Sequence, residues 1–493
     1  MSLRSLLSLV ILLAASTSHA EPAVSPATQG CLDCHADVTP GVVADWRASA
    51  HARVTPDQAL QVEAASRRFS ASAAPAGTGG FVVGCAECHV SDDDTHADAF
   101  DHGDARVHVV VTPRDCARCH SAEVAEYDQS LMAHAHANLD ANPLYHDLEA
   151  QGSGVLRLEG ERLVAEPPAE ASRAAACLSC HGTRVTVKGQ VTRDTPAGEM
   201  AFPVLDGWPN DGVGRVNPDG SVGSCGSCHP RHRFSQAQAR HAQGCIGCHK
   251  GPDVPAYAVW QVSRHGALVT GTSRTTEYEP TPWVAGRDFQ APTCAVCHMS
   301  QVAAPSGEVV GTRTHRLNDR LGWRLFGLPY AHPHPVSADT SGLRNAAGLA
   351  LPTERDGRPV ASALIDPAEQ ASRTARLQKV CSACHASSWV QGHFARLDAV
   401  VAETNAQTKT STDLLSLAWT KHLAKGPADG GSAFDEPIER RWVETWLFYA
   451  NSTRFAAAMT GADYGAFDNG RWWLTRALRE MEAWVREHAE RAR

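Results

Sequence analysis

Cys177-Leu-Ser-Cys180-His181, Cys225-Gly-Ser-Cys228-His229 and Cys245-Ile-Gly-Cys248-His249 lie in one stretch, with Trp208-Pro-Asn-Asp-Gly-Val-Gly-Arg-Val-Asn-Pro-Asp-Gly220 between the first two. The joining segment cannot be regular helix, because its prolines lack an N–H donor and its glycines favour turns, so it reads as fixed backbone around something large. The same pattern recurs outward as Cys31/Cys34/His35, Cys85/Cys88/His89, Cys116/Cys119/His120, Cys294/Cys297/His298 and Cys381/Cys384/His385. All 16 cysteines are used up in eight such motifs. Two thiols at this spacing form thioethers to the vinyl groups of a haem, and the histidine that follows reaches the iron as its proximal ligand. Zinc ribbons and redox dithiols share the cysteine spacing but do not require a histidine after every second cysteine. Eight covalent c-type haems are therefore expected, and the fold class is mainly α, a multihaem cytochrome c with a C-terminal long-helix region.

Covalent haem attachment belongs outside the cytoplasm, and the N-terminus agrees. Arg4 starts a short basic region, Leu6 to Ala15 is apolar, and Ser18-His-Ala20 is a small-residue cleavage site, so residues 1–20 read as a secretory signal peptide. The apolar run is too short to span a bilayer, and no later stretch is long and apolar enough, so a periplasmic chain without a transmembrane segment is expected. No cysteine is left for disulfides. The formal charge of −9 becomes −10 when Arg4 leaves with the signal peptide. This acidity argues against a nucleic-acid partner and suits a small c-type cytochrome or another redox partner.

Of 25 histidines, eight are proximal and His19 lies in the signal peptide, which leaves sixteen candidates for sixth ligands. Iron closed by two histidines suits electron transfer, and iron with an open position suits catalysis. Val43 to His51 has a short helical pattern, so His51 is a natural distal ligand to another haem. Residues 65–80 and 327–362 read as surface loops, the second carrying His332 and His334, and residues 150–170 read as an exposed excursion holding a hairpin. No cysteine follows Cys384. Asp398–Leu423 and Pro437–Met459 have helical spacing, and from Trp473 a stripe of Leu474, Leu478, Met481 and Val485 marks a last helix, with Asp468 or Asn469 available as its cap. The expected division is residues 1–20 as signal peptide, 21–395 as the octahaem region and 396–493 as a helical oligomerisation region.

Several of these segments together carry a resemblance. They are Trp208 to Ser221, Cys228-His-Pro-Arg-His232-Arg-Phe-Ser235, Gly251-Pro-Asp253, Ser263-Arg-His265-Gly266, Thr314-His315 and Ala457-Ala-Met459-Thr-Gly-Ala-Asp-Tyr464. The chain resembles the hydroxylamine oxidoreductase family of octahaem cytochromes. The resemblance implies that the haem on Cys177 and Cys180, with His181 below it, has an open distal face. It implies that Asp253 is the proton acceptor there, and that Tyr464 crosslinks this haem in a neighbouring subunit of a homotrimer. It also implies His51, His102, His108, His134, His232, His265 and His315 as distal ligands of the other haems, with His136 able to replace His134. The chain departs from the family at Val254, where histidine commonly follows the aspartate, and in Trp446 to Phe455, which lacks the usual histidines.

The function implied is oxidation of hydroxylamine or a related small nitrogen compound at the fourth haem, with electrons passing through bis-histidine haems to a cytochrome c. The reverse direction, reduction of nitrite or hydroxylamine at an uncrosslinked haem, and a non-catalytic electron conduit are the alternatives.

Overall fold

The computed structural model describes residues 22–90 and 95–493, so the expected signal peptide lies outside the described residues. About 45% of the chain is helical and 12% is strand, which makes the fold mainly α. The strands form small separate units: antiparallel pairs at Phe100–His102 with Ala105–Val107, Val155–Glu159 with Arg162–Glu166, Thr186–Thr195 with Gly198–Asp206 and Trp323–Arg324 with His332–Pro333, and one three-stranded sheet at Trp283–Val284, Val302–Ala303 and Val309–Gly311. The hairpin expected within residues 150–170 is present, with Leu158 paired to Leu163.

No single apolar core holds these parts together. Tyr278, Trp283, Phe289, Val302 and Val380 form one buried cluster, Leu415, Ile438, Met481 and Val485 a second, and Val390, Phe394, Leu397 and Val401 a third. The first and third clusters border a cavity of about 1410 Å³, well above the roughly 300–1,000 Å³ of a site for one small molecule.

The C-terminal helices follow from their apolar periodicity. Ser387–Thr420, Pro437–Met459 and Arg471–Arg491 pack on one another, and Leu474, Ala477, Met481 and Val485 face inward on the last, which is how residues three or four apart share a helix face. The first of these helices begins at Ser387, so the division expected at residue 396 falls inside a continuous helix. The second is interrupted by a π-helical turn at Glu444–Ala450, and the cap of the last is Gly470 rather than Asp468 or Asn469.

The segment expected to be a surface loop at 327–362 is in part interior. Leu328, Tyr330, Ala331, His332 and His334 are buried. Asn405 explains this, because its side chain accepts from the Ala331 N–H at 3.0 Å and donates to the Ala331 carbonyl at 2.9 Å. Asn451 adds a second tie by accepting from the Gly327 N–H at 3.0 Å. Arg454, fully buried, donates to Asn405 at 2.8 Å and to Asn451 at 3.3 Å, so one guanidinium holds both amides in place.

Candidate haem centres

Each cysteine pair is presented by about one helical turn. The helices Cys85–His89, Cys177–His181 and Cys294–His298 span their motifs from first cysteine to histidine, while Cys31, Cys34 and His35 lie inside Pro26–Val38 and Cys381 ends Pro367–Cys381. Residues i, i+3 and i+4 share a helix face, so both sulfurs and the imidazole meet a ligand from the same side. The remaining ring nitrogen is often fixed by the protein. His35 Nδ1 is 2.9 Å from Thr39 Oγ1, His89 Nδ1 donates to the His108 carbonyl at 2.8 Å, and His181 Nδ1 donates to the Ala135 carbonyl at 3.1 Å. Such bonds leave Nε2 for the metal and set the ring's orientation.

Four proximal imidazoles face a second imidazole. Ring centres are 6.0 Å apart for His35 and His102, 6.3 Å for His89 and His232, 6.3 Å for His51 and His120 and 6.0 Å for His265 and His385. An iron–nitrogen bond of about 2 Å plus about 1 Å from nitrogen to ring centre, on each side, puts two axial imidazoles about 6 Å apart, so these spacings fit an iron between them. Burial pulls His51, His89, His229, His298 and His315 down to about 4, which keeps them neutral, the form that binds iron. His315 is half-buried near His229, with its Nδ1 lacking a hydrogen bond.

Two of the implied ligands are placed differently. His108 also lies 5.9 Å from His89, but on its Nδ1 side, where its own carbonyl takes the His89 proton. Its ring stacks on His96 at 3.6 Å, and its Nε2 is 3.6 Å from Asp115, so it belongs to a buried charge cluster with His96, Asp98 and Asp115 and not to the far face of a haem. Burial opposes charge on His96, but its contacts with Asp115 and Asp98 outweigh that and push it up to about 10. His134 is directed by its Nε2 to the Asp128 carbonyl at 2.8 Å. His136 is buried instead and donates from Nδ1 to the Gly182 carbonyl at 2.7 Å.

His332 and His334, in the segment expected to be a surface loop, are further candidates for ligands. His332 Nε2 and both nitrogens of His334 are buried without a hydrogen bond, and His334 lines the large cavity. The available signal was the short His-Pro-His-Pro run at 332–335, whose burial depends on side chains from the C-terminal helices.

The fourth motif is clamped by the Trp208–Gly220 segment. Asn210 accepts from the Thr183 N–H at 3.2 Å and donates to the Leu178 carbonyl at 3.1 Å, and the Val213 N–H donates to the Cys180 carbonyl at 2.9 Å. Gly182, at φ +91°, has no room for a Cβ against the Arg215 backbone. Arg215, whose guanidinium lies over the Trp208 ring at 5.1 Å, donates to the Asn210 carbonyl at 2.9 Å. The segment is thus rigid, and what it grips directly is the helix of Cys177–His181.

The large cavity is continuous along motifs four to eight, with His181, His229, His249, His298 and His385 on its wall. Asp253 and Val254 share that wall, and the Asp253 carbonyl accepts from Asn451 Nδ2 at 3.3 Å. A smaller adjoining cavity of about 100 Å³ has His181 as its only haem-motif residue, beside Leu131, Tyr145 and Arg324. Tyr464 begins a π-helical turn at Tyr464–Asp468, with its hydroxyl 3.5 Å from Asn469 Nδ2, and does not line either cavity that His181 lines.

Comparisons with known proteins agree with this chemistry. The family model described as "Seven times multi-haem cytochrome CxxCH" matches residues 219–328, and the model "Cytochrome c554 and c-prime" matches residues 115–201. A Kuenenia stuttgartiensis protein named "Probable nitrite reductase-hydroxylamine oxidoreductase fusion protein" is 25% identical over 392 residues, which are 76% of this chain; the match spans 36% of that relative's length. A solved structure described as a hypothetical multiheme protein is 38% identical, with 95% of this chain and 97% of that one covered at a TM-score of 0.87. The Kuenenia stuttgartiensis "reducing HAO-like protein complex Kustc0457/Kustc0458" shares the fold at 17% identity, with 94% of this chain and 86% of that one covered and a TM-score of 0.62. The cysteine pairs, the facing imidazoles and these likenesses place covalent haem c in the chain, which belongs to the hydroxylamine oxidoreductase-like family of multihaem c-type cytochromes.

Proposed function

We propose that the protein is an extracytoplasmic octahaem oxidoreductase that converts a small nitrogen compound of the hydroxylamine and nitrite class at the haem held by Cys177, Cys180 and His181. The observation that carries this reading is that His181 and Asp253 line one cavity. A haem there supplies an iron that binds nitrogen and accepts or donates electrons. The chain's own part is to fix His181 through the Ala135 carbonyl, to shape the pocket with Leu131, Tyr145 and Arg324, and to hold Asp253 by its backbone to Asn451. Asp253, on the same cavity wall as His181, is the candidate proton carrier.

His35 with His102, His89 with His232, His51 with His120 and His265 with His385 are the closed, electron-carrying centres on this reading, and His315 is the candidate partner of His229. A small c-type cytochrome is the proposed partner, and a homotrimer the proposed assembly.

Tyr464 decides between the two directions. Hydroxylamine oxidation, our first reading, requires Tyr464 to be joined to the Cys177/Cys180 haem of a neighbouring subunit, in keeping with its position away from its own His181 cavity. Reduction of nitrite or hydroxylamine is favoured by Val254, which puts an alkyl group beside Asp253 where an imidazole would relay protons near neutral pH. Mass spectrometry of proteolysed holoprotein tests this. A Tyr464 peptide carrying the haem peptide of Cys177 and Cys180 supports oxidation, and Tyr464→Phe then abolishes it; separate peptides overturn the oxidative reading.

A further inference from the structure

On the Nδ1 side of the proximal His89 lies the buried cluster of His96, Asp98, His108 and Asp115, to which the haem centres give no task. His96 and Asp98 precede the strand Phe100–His102, His108 follows its partner Ala105–Val107, and Asp115 stands in the first turn of the helix Pro113–Ala117. His96, Asp98 and His108 are 3%, 0% and 2% exposed. Backbone and hydroxyl donors hold one oxygen of each carboxylate. Asp98 Oδ2 accepts from the Val109 and Val110 N–H groups at 2.9 and 2.8 Å, and Asp115 Oδ2 accepts from the Thr112 N–H at 2.7 Å and its hydroxyl at 3.1 Å. The other oxygens face the imidazoles, with His96 Nδ1 3.5 Å from Asp98 Oδ1 and His96 Nε2 3.1 Å from Asp115 Oδ1.

Two features leave this cluster incomplete. Neither ring nitrogen of His108 has a hydrogen bond, although its Nε2 is 3.6 Å from Asp115 Oδ2. A neutral imidazole offers one donor and one acceptor, and burying both unpaired costs stability unless something fills the place. The charges do not balance either. Among the described residues no lysine or arginine pairs with Asp98 or Asp115. In the metal-free chain a proton on His96 offsets one of the two carboxylates. His108, stacked on His96 at 3.6 Å, cannot take a second proton without setting like charges face to face. A divalent cation would cancel both carboxylates and use the unpaired nitrogen. One ligand atom each from His96, His108 and Asp115 lie within 4.8 Å of one another. Ligands about 2.0–2.2 Å from one zinc ion lie within about 4.4 Å of each other, so a small inward movement closes the set. No hydrogen bond holds the His108 ring against that movement.

We propose that His96, His108 and Asp115 bind a divalent cation of the zinc class, separate from the haem irons, with Asp98 orienting His96. Two imidazoles and a carboxylate suit zinc, whereas calcium and magnesium take oxygen ligands throughout. Asp98 beside Nδ1 leaves Nε2 of His96 for the ion, as a carboxylate behind a ligating histidine does in zinc sites. The site is structural. The His108 carbonyl accepts the Nδ1 proton of His89, so an ion on His108 also steadies a proximal haem ligand. The proposal stands whichever haem is open.

The test is equilibrium dialysis of chelator-treated holoprotein against zinc, with elemental analysis of zinc relative to haem iron, in wild type, His96→Gln, His108→Gln and Asp98→Asn. Wild type takes up about one zinc ion per chain, the geometry of one closed set of ligands. Asp98→Asn, which changes only the group behind a ligand, weakens uptake about 10- to 100-fold, and the two histidine variants weaken it further. Wild type that takes up no zinc overturns the proposal, as does uptake by both histidine variants equal to that of wild type. If the variants lose haem, the thermal midpoint of chelator-treated wild type decides: a rise on adding zinc supports the site, and an unchanged midpoint overturns it.

Discussion

His265 and His385 show how much one side chain decides. Their rings face each other 6.0 Å apart, so His265→Ala removes one axial ligand and converts one low-spin haem to high spin, as electron paramagnetic resonance would detect. An unchanged low-spin population would sink the assignment. His108→Ala has the opposite expectation, with all haems keeping their spin state, because His108 lies in the cluster with His96 and Asp115. That cluster also sets a pH dependence. His96 is raised from 6.5 to about 10 in the folded chain, so its contribution is fully present below pH 6.5 and is lost as pH rises through about 10. The thermal midpoint of wild type should therefore fall over that range more steeply than that of His96→Gln; parallel curves would contradict the assignment. Proximal histidines such as His181 are legible in the sequence because one helical turn fixes them relative to their cysteines. Distal ones such as His102 are legible only through the family resemblance, because they come from distant elements, in that case the hairpin at Phe100–His102.

Among the elements, the C-terminal helices are the most legible, since the inward stripe of Leu474, Met481 and Val485 repeats with the helix itself. Met481 is 1% exposed, so Met481→Ala should cost about 2–5 kcal/mol, measured by denaturant unfolding of the holoprotein. A loss below about 1 kcal/mol would mean that the helix does not pack there as described. Less legible are the π-helical turns at Glu444–Ala450 and Tyr464–Asp468, which insert extra residues without any marker such as proline or glycine pairs. The burial of the 327–335 segment was equally hidden. Its glycine and prolines signal a loop, but Asn405 and Asn451 satisfy its backbone from the C-terminal helices, so a loop in conformation is interior in position.

At the scale of the whole molecule, separate apolar clusters border a cavity walled by the motifs from Cys177 to His385. The chain's core is completed by its cofactors, which is why the cysteine motifs foretell the architecture better than the apolar residues do. The open centre at Cys177, Cys180 and His181 is the claim on which the functional account turns. Its most direct test is resonance Raman or magnetic circular dichroism on the oxidised holoprotein, compared with a Cys177→Ala/Cys180→Ala variant. The account predicts one high-spin haem among low-spin ones in wild type, responsive to nitrite or hydroxylamine and missing from the variant. A wild-type spectrum in which every haem is low-spin and indifferent to both ligands would contradict it and leave an electron conduit.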